Sequence, residues 1–346
     1  MLPFTLVSTV YNEMRRLPQT IADLEAQERM PTEIVVVDAG STDGTFQHLQ
    51  AWASTSRAKV VVLQEQGCTI ARGRNLAIAT ASHDLIASTD FGCRFAPAWL
   101  THLIAPFDLQ PELQLTGGSF SVPLAEVGTP AAVADYILQN GYQIVQDQYF
   151  SVSSRSIAFR RSVWVQLGGY LEWLTMAADD TIFWRMAKRA GIRHQFVPQP
   201  DVLWLRHTTM AAFAREAYRY GLGDGESGIN FRSFLSSLAE FALRILLFVA
   251  IAFSWLWFPS GARPLFIIIG ILLVPFANRS YRRAYSNFKS LRSQESDIKL
   301  TLPDLGNAFI LIERSRLQYF AGYIKGWLFA STKVKQGRSA LPPLPA

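Results

Sequence analysis

Acidic residues stand at three places in this chain where chemistry can be done. In Val35–Thr45, VVVDAGSTDGT, an apolar run stops at Asp38 and a Gly/Ser/Thr/Asp turn follows. Some fifty positions on, the apolar or small stretch Leu85–Thr89 ends at Asp90. Ligands of open α/β sheets bind beyond the carboxyl ends of the strands. Two aspartates at two such ends therefore imply one crevice for something that needs negative charge, and a metal ion on a nucleotide diphosphate fits that need best. Asp179 and Asp180 open a helical pattern, where free N–H groups and the helix dipole favour ionised carboxylates. Arg72, Arg74 and Asn75 open another; helix N-termini bind anions, and arginine's planar fork suits a diphosphate. The sequence does not tell which of the two arginines turns inward and which is a solvated charge.

The elements that must position these residues alternate. Strands are expected at Phe4–Ser8, Glu33–Asp38, Lys59–Gln64 and Leu85–Thr89, with helices at Glu13–Gln27, Asp43–Ser56 and Ile70–Ala81 between them. Such alternation predicts a mostly parallel sheet flanked by helices. Asp43 is expected to start its helix and Pro97 the helix Ala98–Pro106. From Leu113 the pattern is mixed. Leu113–Gly118 and Arg155–Arg160 read as strands, Ala131–Gln146 and Asp179–Ala190 as helices, the latter closed by Gly191. His194–Val197 and Val202–Leu205 are short apolar pieces. Arg215–Gly225, REAYRYGLGDG, reads either as a mobile loop closing over a ligand or as a linker.

Composition divides the chain into residues 1–230, an α/β domain; 231–280, a hydrophobic helical hairpin; and 281–346, a basic, amphipathic tail. Ile245–Phe258 is uncharged, Pro259–Gly261 makes a turn, and Leu265–Ala277 is apolar again. A membrane crossing needs about 20 apolar residues. The first segment reaches that length only by extending back past Arg244 and Glu240, which stand four apart and can pair along one helix face. Two spanning helices, an interfacial hairpin, and two buried helices of a water-soluble protein all remain open. The aromatic cluster Trp255, Trp257 and Phe258 favours the membrane, as do basic residues from Arg279 to Lys299, which suit anionic headgroups. That asymmetry expects the catalytic domain on the cytoplasmic side. Leu317, Phe320, Ile324, Trp327 and Leu328 recur at helical spacing, as in a helix lying on a membrane or on the hairpin. No nucleic-acid recognition motif accompanies the net charge of +6. Cys68 and Cys93 are the only cysteines, which argues for neither a disulfide framework nor a zinc site. The N-terminus does not read as a signal peptide.

Six segments together carry a resemblance. They are TVYNE at Thr9–Glu13, VVVDAGSTDGT at Val35–Thr45, ARGRNLAI at Ala71–Ile78, TDFGCRFAPAWL at Thr89–Leu100, LGGY at Leu167–Tyr170 and ADDT at Ala178–Thr181. In this order and spacing they resemble glycosyltransferase family 2 over about residues 1–230. The resemblance implies the GT-A nucleotide-sugar-binding fold, a Rossmann-like mixed sheet flanked by helices, and an inverting transfer. It implies a nucleotide-sugar donor and a divalent metal, Mg²⁺ or Mn²⁺; the hydrophobic segment adds a membrane and a lipid-linked or polysaccharide acceptor. Thr9 and Tyr11 would line the nucleobase pocket, Glu13 would join in donor binding, and Asp38 would help hold base or ribose. Arg72, Arg74 and Asn75 would face the donor, and Asp90 would be both donor contact and metal ligand, with His207 a further metal ligand. Asp180 would be the general base that deprotonates the acceptor, and Asp179 would orient acceptor or base.

The departures are specific. The family usually has Asp-x-Asp where this chain has Asp90-Phe91-Gly92, so one carboxylate is missing. Ala39 also replaces the second acid often found in the turn after Asp38. Structural roles are open for Tyr11 as a core-edge aromatic, for Asp38 as a cap of its own turn, and for a lone His207. Two other functions compete: a sugar-phosphate nucleotidyltransferase, against which the absence of a Gly-rich loop after the first strand argues, and a non-catalytic nucleotide-sugar-binding subunit. A dinucleotide-binding dehydrogenase is disfavoured because no GxGxxG follows a strand.

Overall fold

The structure is a computed structural model, and it describes residues 1–142, 152–257, 278–294 and 298–345. The chain forms two compact units: Met1–Glu126, Gln143–Arg206 and Ala330–Ala346 make the first, Val127–Tyr142 and His207–Phe329 the second.

The first unit holds the eight-stranded sheet, in the order β3-β2-β1-β4-β7-β6-β8-β5. β1 (Phe4–Val10), β2 (Glu33–Asp38), β3 (Lys59–Gln64) and β4 (Leu85–Ser88) run parallel. β2 is buried along its whole length, as a central parallel strand covered on both faces must be. β6 (Leu115–Ser121) and β7 (Ile157–Arg160) extend the sheet in antiparallel fashion, and β5 (Arg94–Phe95) closes its edge against β8 (His194–Leu203). The sequence reading split β8 in two at Pro198 and Pro200. Prolines cannot donate to a ladder, and the strand accommodates them at an irregularity where β6 slips register between Gly118 and Phe120.

Two apolar layers cover the sheet. One contains Leu6, Ile34, Leu49, Trp99 and Phe107, the other Val7, Val35, Ile78, Phe159 and Phe183. The covering helices are α1 (Leu17–Glu25), α2 (Thr45–Ala53), α3 (Ile70–Thr80), α4 (Trp99–Leu109), α6 (Arg161–Leu167) and α7 (Asp179–Arg189). α2 starts two residues later than the sequence suggests. Gly44 takes φ +94° before it, and the Asp43 carboxylate accepts from Thr45 N at 3.1 Å and Thr45 Oγ1 at 2.7 Å. Gly191, at φ +68°, ends α7 as expected.

The second unit is helical. It comprises α5 (Pro130–Leu138), α8 (Met210–Ser227), α9 (Phe231–Trp257), α10 (Arg279–Ser293) and α11 (Leu302–Leu328). α8 corrects a sequence expectation, because REAYRYGLGDG is neither loop nor linker. Its glycines serve contact rather than flexibility. A Cβ at Gly221 or Gly225 would collide with the carbonyl oxygens of Tyr319 and Tyr323, and one at Gly322 or Gly326 with those of Tyr218 and Leu222. Partners ascend together, so α8 and α11 run parallel with backbones touching, a small-xxx-small seam on each helix. Tyr319 Oη donates to Asp224 Oδ2 across it at 2.6 Å.

Phe231–Phe253 of α9 is, among the described residues, the one helix long and apolar enough to cross a membrane. Glu240 and Arg244 do not pair. Arg244 is buried and donates to Glu313 of α11 at 2.8 Å, while Glu240 accepts from Arg279 N at 2.7 Å. The expected pairing along one helix is thus replaced by an ion pair between helices. The apolar stripe of α11 is divided: Phe320 is buried, Trp327 stacks on Phe231, and Leu317, Ile324 and Leu328 are exposed. Phe258, the turn Pro259–Gly261 and the apolar segment Leu265–Ala277 lie outside the described residues.

Candidate active site

Strand order creates the crevice. From β1 the chain moves outward to β2 and β3, then returns to β4 on the other flank of β1. The loops after β1 and β4 therefore diverge, and that divergence is where open α/β sheets take their ligands. Thr9 lies near the end of β1 with its methyl against Gly73, where no side chain fits, so the first turns of α3 come close to the strand. Tyr11 is 59% exposed, which removes the core-edge role. The loop after β1 is tied to the turn after β2. Asn12 N donates to Ser41 Oγ at 2.8 Å, Thr42 N to Asn12 Oδ1 at 2.9 Å, and Glu13 N to Thr45 Oγ1 at 2.9 Å.

Asp38 fulfils its structural role and leaves something over. Its Oδ1 accepts from Gly40 N and Ser41 N at 2.9 Å each and from Gln64 Nε2 at 3.0 Å. Its Oδ2 is buried with no partner among the described residues. Such an orphan costs about 1–3 kcal/mol, a cost that a ligand hydrogen bond would relieve.

The two arginines separate cleanly. Arg72 stays at the surface, bound to Glu65 at 2.9 Å with Glu172 at 3.7 Å. Arg74 is buried and forks between two motifs. Its Nη2 donates to Asp90 Oδ1 at 2.6 Å, and its Nη1 donates to Asp179 Oδ2. One guanidinium thus ties the end of β4 to the start of α7, reaching Asp179 across 105 residues of chain from Arg74. Its carbon lies 5.5 Å from the ring centre of Tyr170, which stacks on Phe183 at 4.4 Å. The flanking carboxylates hold the Arg74 proton more firmly than in water, against the opposing effect of burial.

Asn75 is committed to the LGGY segment. It donates to Tyr170 O at 2.8 Å and Glu172 Oε1 at 2.9 Å, and accepts from Trp164 Nε1 and Tyr170 N at 2.9 Å each. That segment leads towards α7, so Asn75 fixes the approach to Asp179.

Asp179 and Asp180 have different surroundings. Asp179 is buried, and desolvation raises its carboxyl to about 6. Arg74 pulls it down; Asp180 and Asp90 push it further up. Asp180 is partly exposed, and its Oδ1 accepts from Thr181 N at 2.7 Å. Its Oδ2 faces Ser154 N at 3.4 Å. Ser154 carries no motif that sequence reasoning could have found. Asp179 also lines a shallow recess with Ile70, Ala71 and Leu174–Ala177.

A divalent cation is implied by the resemblance, and the donor set suits a hard one. Asp90 gives one oxygen to Arg74; the other is bonded to no described residue. No group of three His, Cys, Asp or Glu converges among the described residues. Mg²⁺-type ions need few protein carboxylates when phosphate oxygens and waters complete the shell, so the residues present fit a cation that arrives with its nucleotide. His207 belongs to the second unit, with Nε2 3.6 Å from Glu216 Oε1 and its ring edge-on to Phe213.

Comparison with known proteins agrees with this architecture. Residues 5–161 match the model of Glycosyl transferase family 2. Validoxylamine A glucosyltransferase of Streptomyces hygroscopicus subsp. limoneus is 31% identical over 103 residues, 29% of this chain. The match spans only 23% of that relative's length. Among solved structures, the mannosyltransferase PcManGT of Pyrobaculum calidifontis, in complex with GDP-Man and Mn²⁺, aligns over 95% of this chain and 88% of its own. Its identity is 16% and its TM-score 0.55, which speaks for the fold. Residues 5–161, just under half of the chain, thus resemble glycosyltransferase family 2, and the sheet with its switch point has the GT-A fold.

Proposed function

We propose that the protein is an inverting glycosyltransferase that moves a sugar from a nucleotide-sugar donor to a lipid-linked or polysaccharide acceptor at a membrane. One observation carries the reading: Arg74 joins Asp90, at the donor-side strand end, to Asp179, beside the candidate base. That bridge supports a reading in which donor contact and base lie close together. The base sits at Asp180, the more accessible of the pair, whose carboxylate has no cationic partner within ion-pair distance among the described residues. It takes the acceptor hydroxyl proton as that oxygen attacks the anomeric carbon from the face opposite the nucleotide. Asp179 and Arg74 hold the base-bearing helix end against the donor-bearing loop. Asp38, with its orphaned Oδ2, receives a donor from base or ribose. When bound at Asp90, a divalent cation neutralises the charge that develops on the departing diphosphate.

α9 supports attachment to the membrane: its apolar stretch is largely uncovered, with Leu243, Ile245, Leu246, Phe248 and Phe253 exposed. The basic helix α10 would face anionic headgroups, with the catalytic domain on the cytoplasmic side. The test is a panel of nucleotide sugars offered to the detergent-purified protein with and without Mn²⁺. Nucleoside diphosphate release from one donor is the expected result. Pyrophosphate release from a nucleoside triphosphate plus a sugar phosphate would indicate the nucleotidyltransferase instead, and no turnover with any donor would indicate the binding subunit.

A further inference from the structure

Gly92 stands two residues after Asp90, in the loop that leaves β4 at the switch point. It takes φ +110°, a conformation that side-chain-bearing residues rarely adopt. The space above it is occupied. A Cβ built on Gly92 would lie 3.3 Å from Glu13 Oε2 and 3.5 Å from Glu13 Cδ and Oε1. The Glu13 carboxylate therefore fills the volume where a side chain at position 92 would begin, reaching it from the neighbouring loop after β1. Three features hold it there. Glu13 N donates to Thr45 Oγ1 at 2.9 Å, Glu13 O accepts from Arg16 N and Leu17 N at 2.9 Å each, and Arg16 Nη1 donates to Gly92 O at 3.4 Å. The last bond joins the two loops directly.

Arg16 and Arg15 attract the Glu13 carboxylate through space, while Asp43 and Asp90 repel it. No side-chain hydrogen bond or ion pair to a described residue engages Glu13, and one oxygen of Asp90 is equally unengaged, its other being taken by Arg74. Two half-buried carboxylates on facing loops repel each other. A glycine that leaves room for the second carboxylate makes this a place for a positive ligand.

We propose that Glu13 is a metal-holding residue: with Asp90 it supplies the protein's share of a divalent-cation site, reaching from the β1 loop to the place that Gly92 leaves empty of a side chain. The occupant is a hard divalent cation, Mg²⁺ or Mn²⁺, which takes its remaining ligands from water and the nucleotide's phosphates. This rests on the donor-site reading above and deepens it. Gly92 is then a requirement rather than a loss, because its φ of +110° disfavours any side chain and a Cβ there would press on the Glu13 carboxylate.

The experiment measures Mn²⁺ binding by electron paramagnetic resonance in the presence of GDP and, separately, UDP, and binding of both nucleotides without metal by calorimetry. The proteins are wild type, Glu13→Gln, Glu13→Asp and Asp90→Asn, each checked by circular dichroism. Glu13→Gln is expected to weaken Mn²⁺ binding at least tenfold, as Asp90→Asn does, with metal-free nucleotide affinity within twofold of wild type. Glu13→Asp, which keeps the charge on a shorter arm, is expected to fall between. Mn²⁺ binding unchanged in Glu13→Gln but lost in Asp90→Asn overturns the proposal and leaves the donor-site reading standing. Equal weakening with and without metal also overturns it, since Glu13 would then touch the nucleoside. A wild type that binds nucleotide but no Mn²⁺ overturns the metal site altogether.

Discussion

Replacing Arg74 with Met should destabilise the protein in a pH-dependent way. Arg74 is buried between Asp90 and Asp179, and its long apolar stem is matched by Met. In the wild type the Asp179 carboxyl is raised from 3.8 to about 6. A raised carboxyl means that the folded state binds more protons than the unfolded chain between those two values, so stability is highest below the lower value and falls as pH rises through the upper. Without Arg74, Asp179 cannot ionise in place and keeps its proton. At pH 7.5 that costs about 5 kcal/mol relative to an unfolded aspartate, against about 3 kcal/mol in the wild type, at roughly 1.4 kcal/mol per pH unit. The difference, about 2 kcal/mol, is the charge contribution; at pH 5, where the wild type already carries most of that proton, it falls close to zero. Lost hydrogen bonds bring the total at pH 7.5 towards the roughly 3–5 kcal/mol of a broken buried pair. Urea unfolding followed by tryptophan fluorescence at both pH values measures this. Arg74→Met/Asp179→Asn should regain most of the loss at pH 7.5 and show little pH dependence. An equal cost at the two pH values, or no relief in the double variant, refutes the reasoning.

Other expectations follow from single contacts. Gly221→Val and Gly322→Val should each destabilise the helical unit by more than the roughly 1–3 kcal/mol of ordinary overpacking, since backbone rather than side chain stands in the way; thermal melts followed by circular dichroism read this. Arg244→Met leaves Glu313 with Arg316, at 3.1 Å, as its one cationic partner among the described residues, and should cost about 3 kcal/mol, largely recovered by Glu313→Gln in the same chain. Asp38→Ala removes the acceptor for Gly40, Ser41 and Gln64, so it should both destabilise by about 2 kcal/mol and weaken nucleotide affinity, as calorimetry would show.

Much of the sheet is legible in the sequence because β-branched runs with abrupt polar ends have few alternatives. β2 and β3 fall on the expected residues, and β1 and β4 differ only at one end. What escapes is decided by contacts between distant segments. Nothing local distinguishes Arg72 from Arg74; helical phase and the acids of β4 and α7 decide it. The glycines of α8 signal flexibility until the matching glycines of α11, a hundred residues away, are laid against them. Arg244 finds Glu313 rather than the nearer Glu240, because two helices meet there. Glu13 is visible as part of TVYNE, yet its relation to Gly92 exists only where two loops face each other across a sheet.

The most direct test of the proposed catalytic site is turnover of Asp180→Asn with the donor that the panel identifies, measured beside that donor's affinity. A base lost from a displacement should lower kcat by about 10²–10⁴-fold while nucleotide-sugar binding stays within a few-fold of wild type. Full turnover in Asp180→Asn would contradict the assignment, and so would loss of donor binding with kcat preserved.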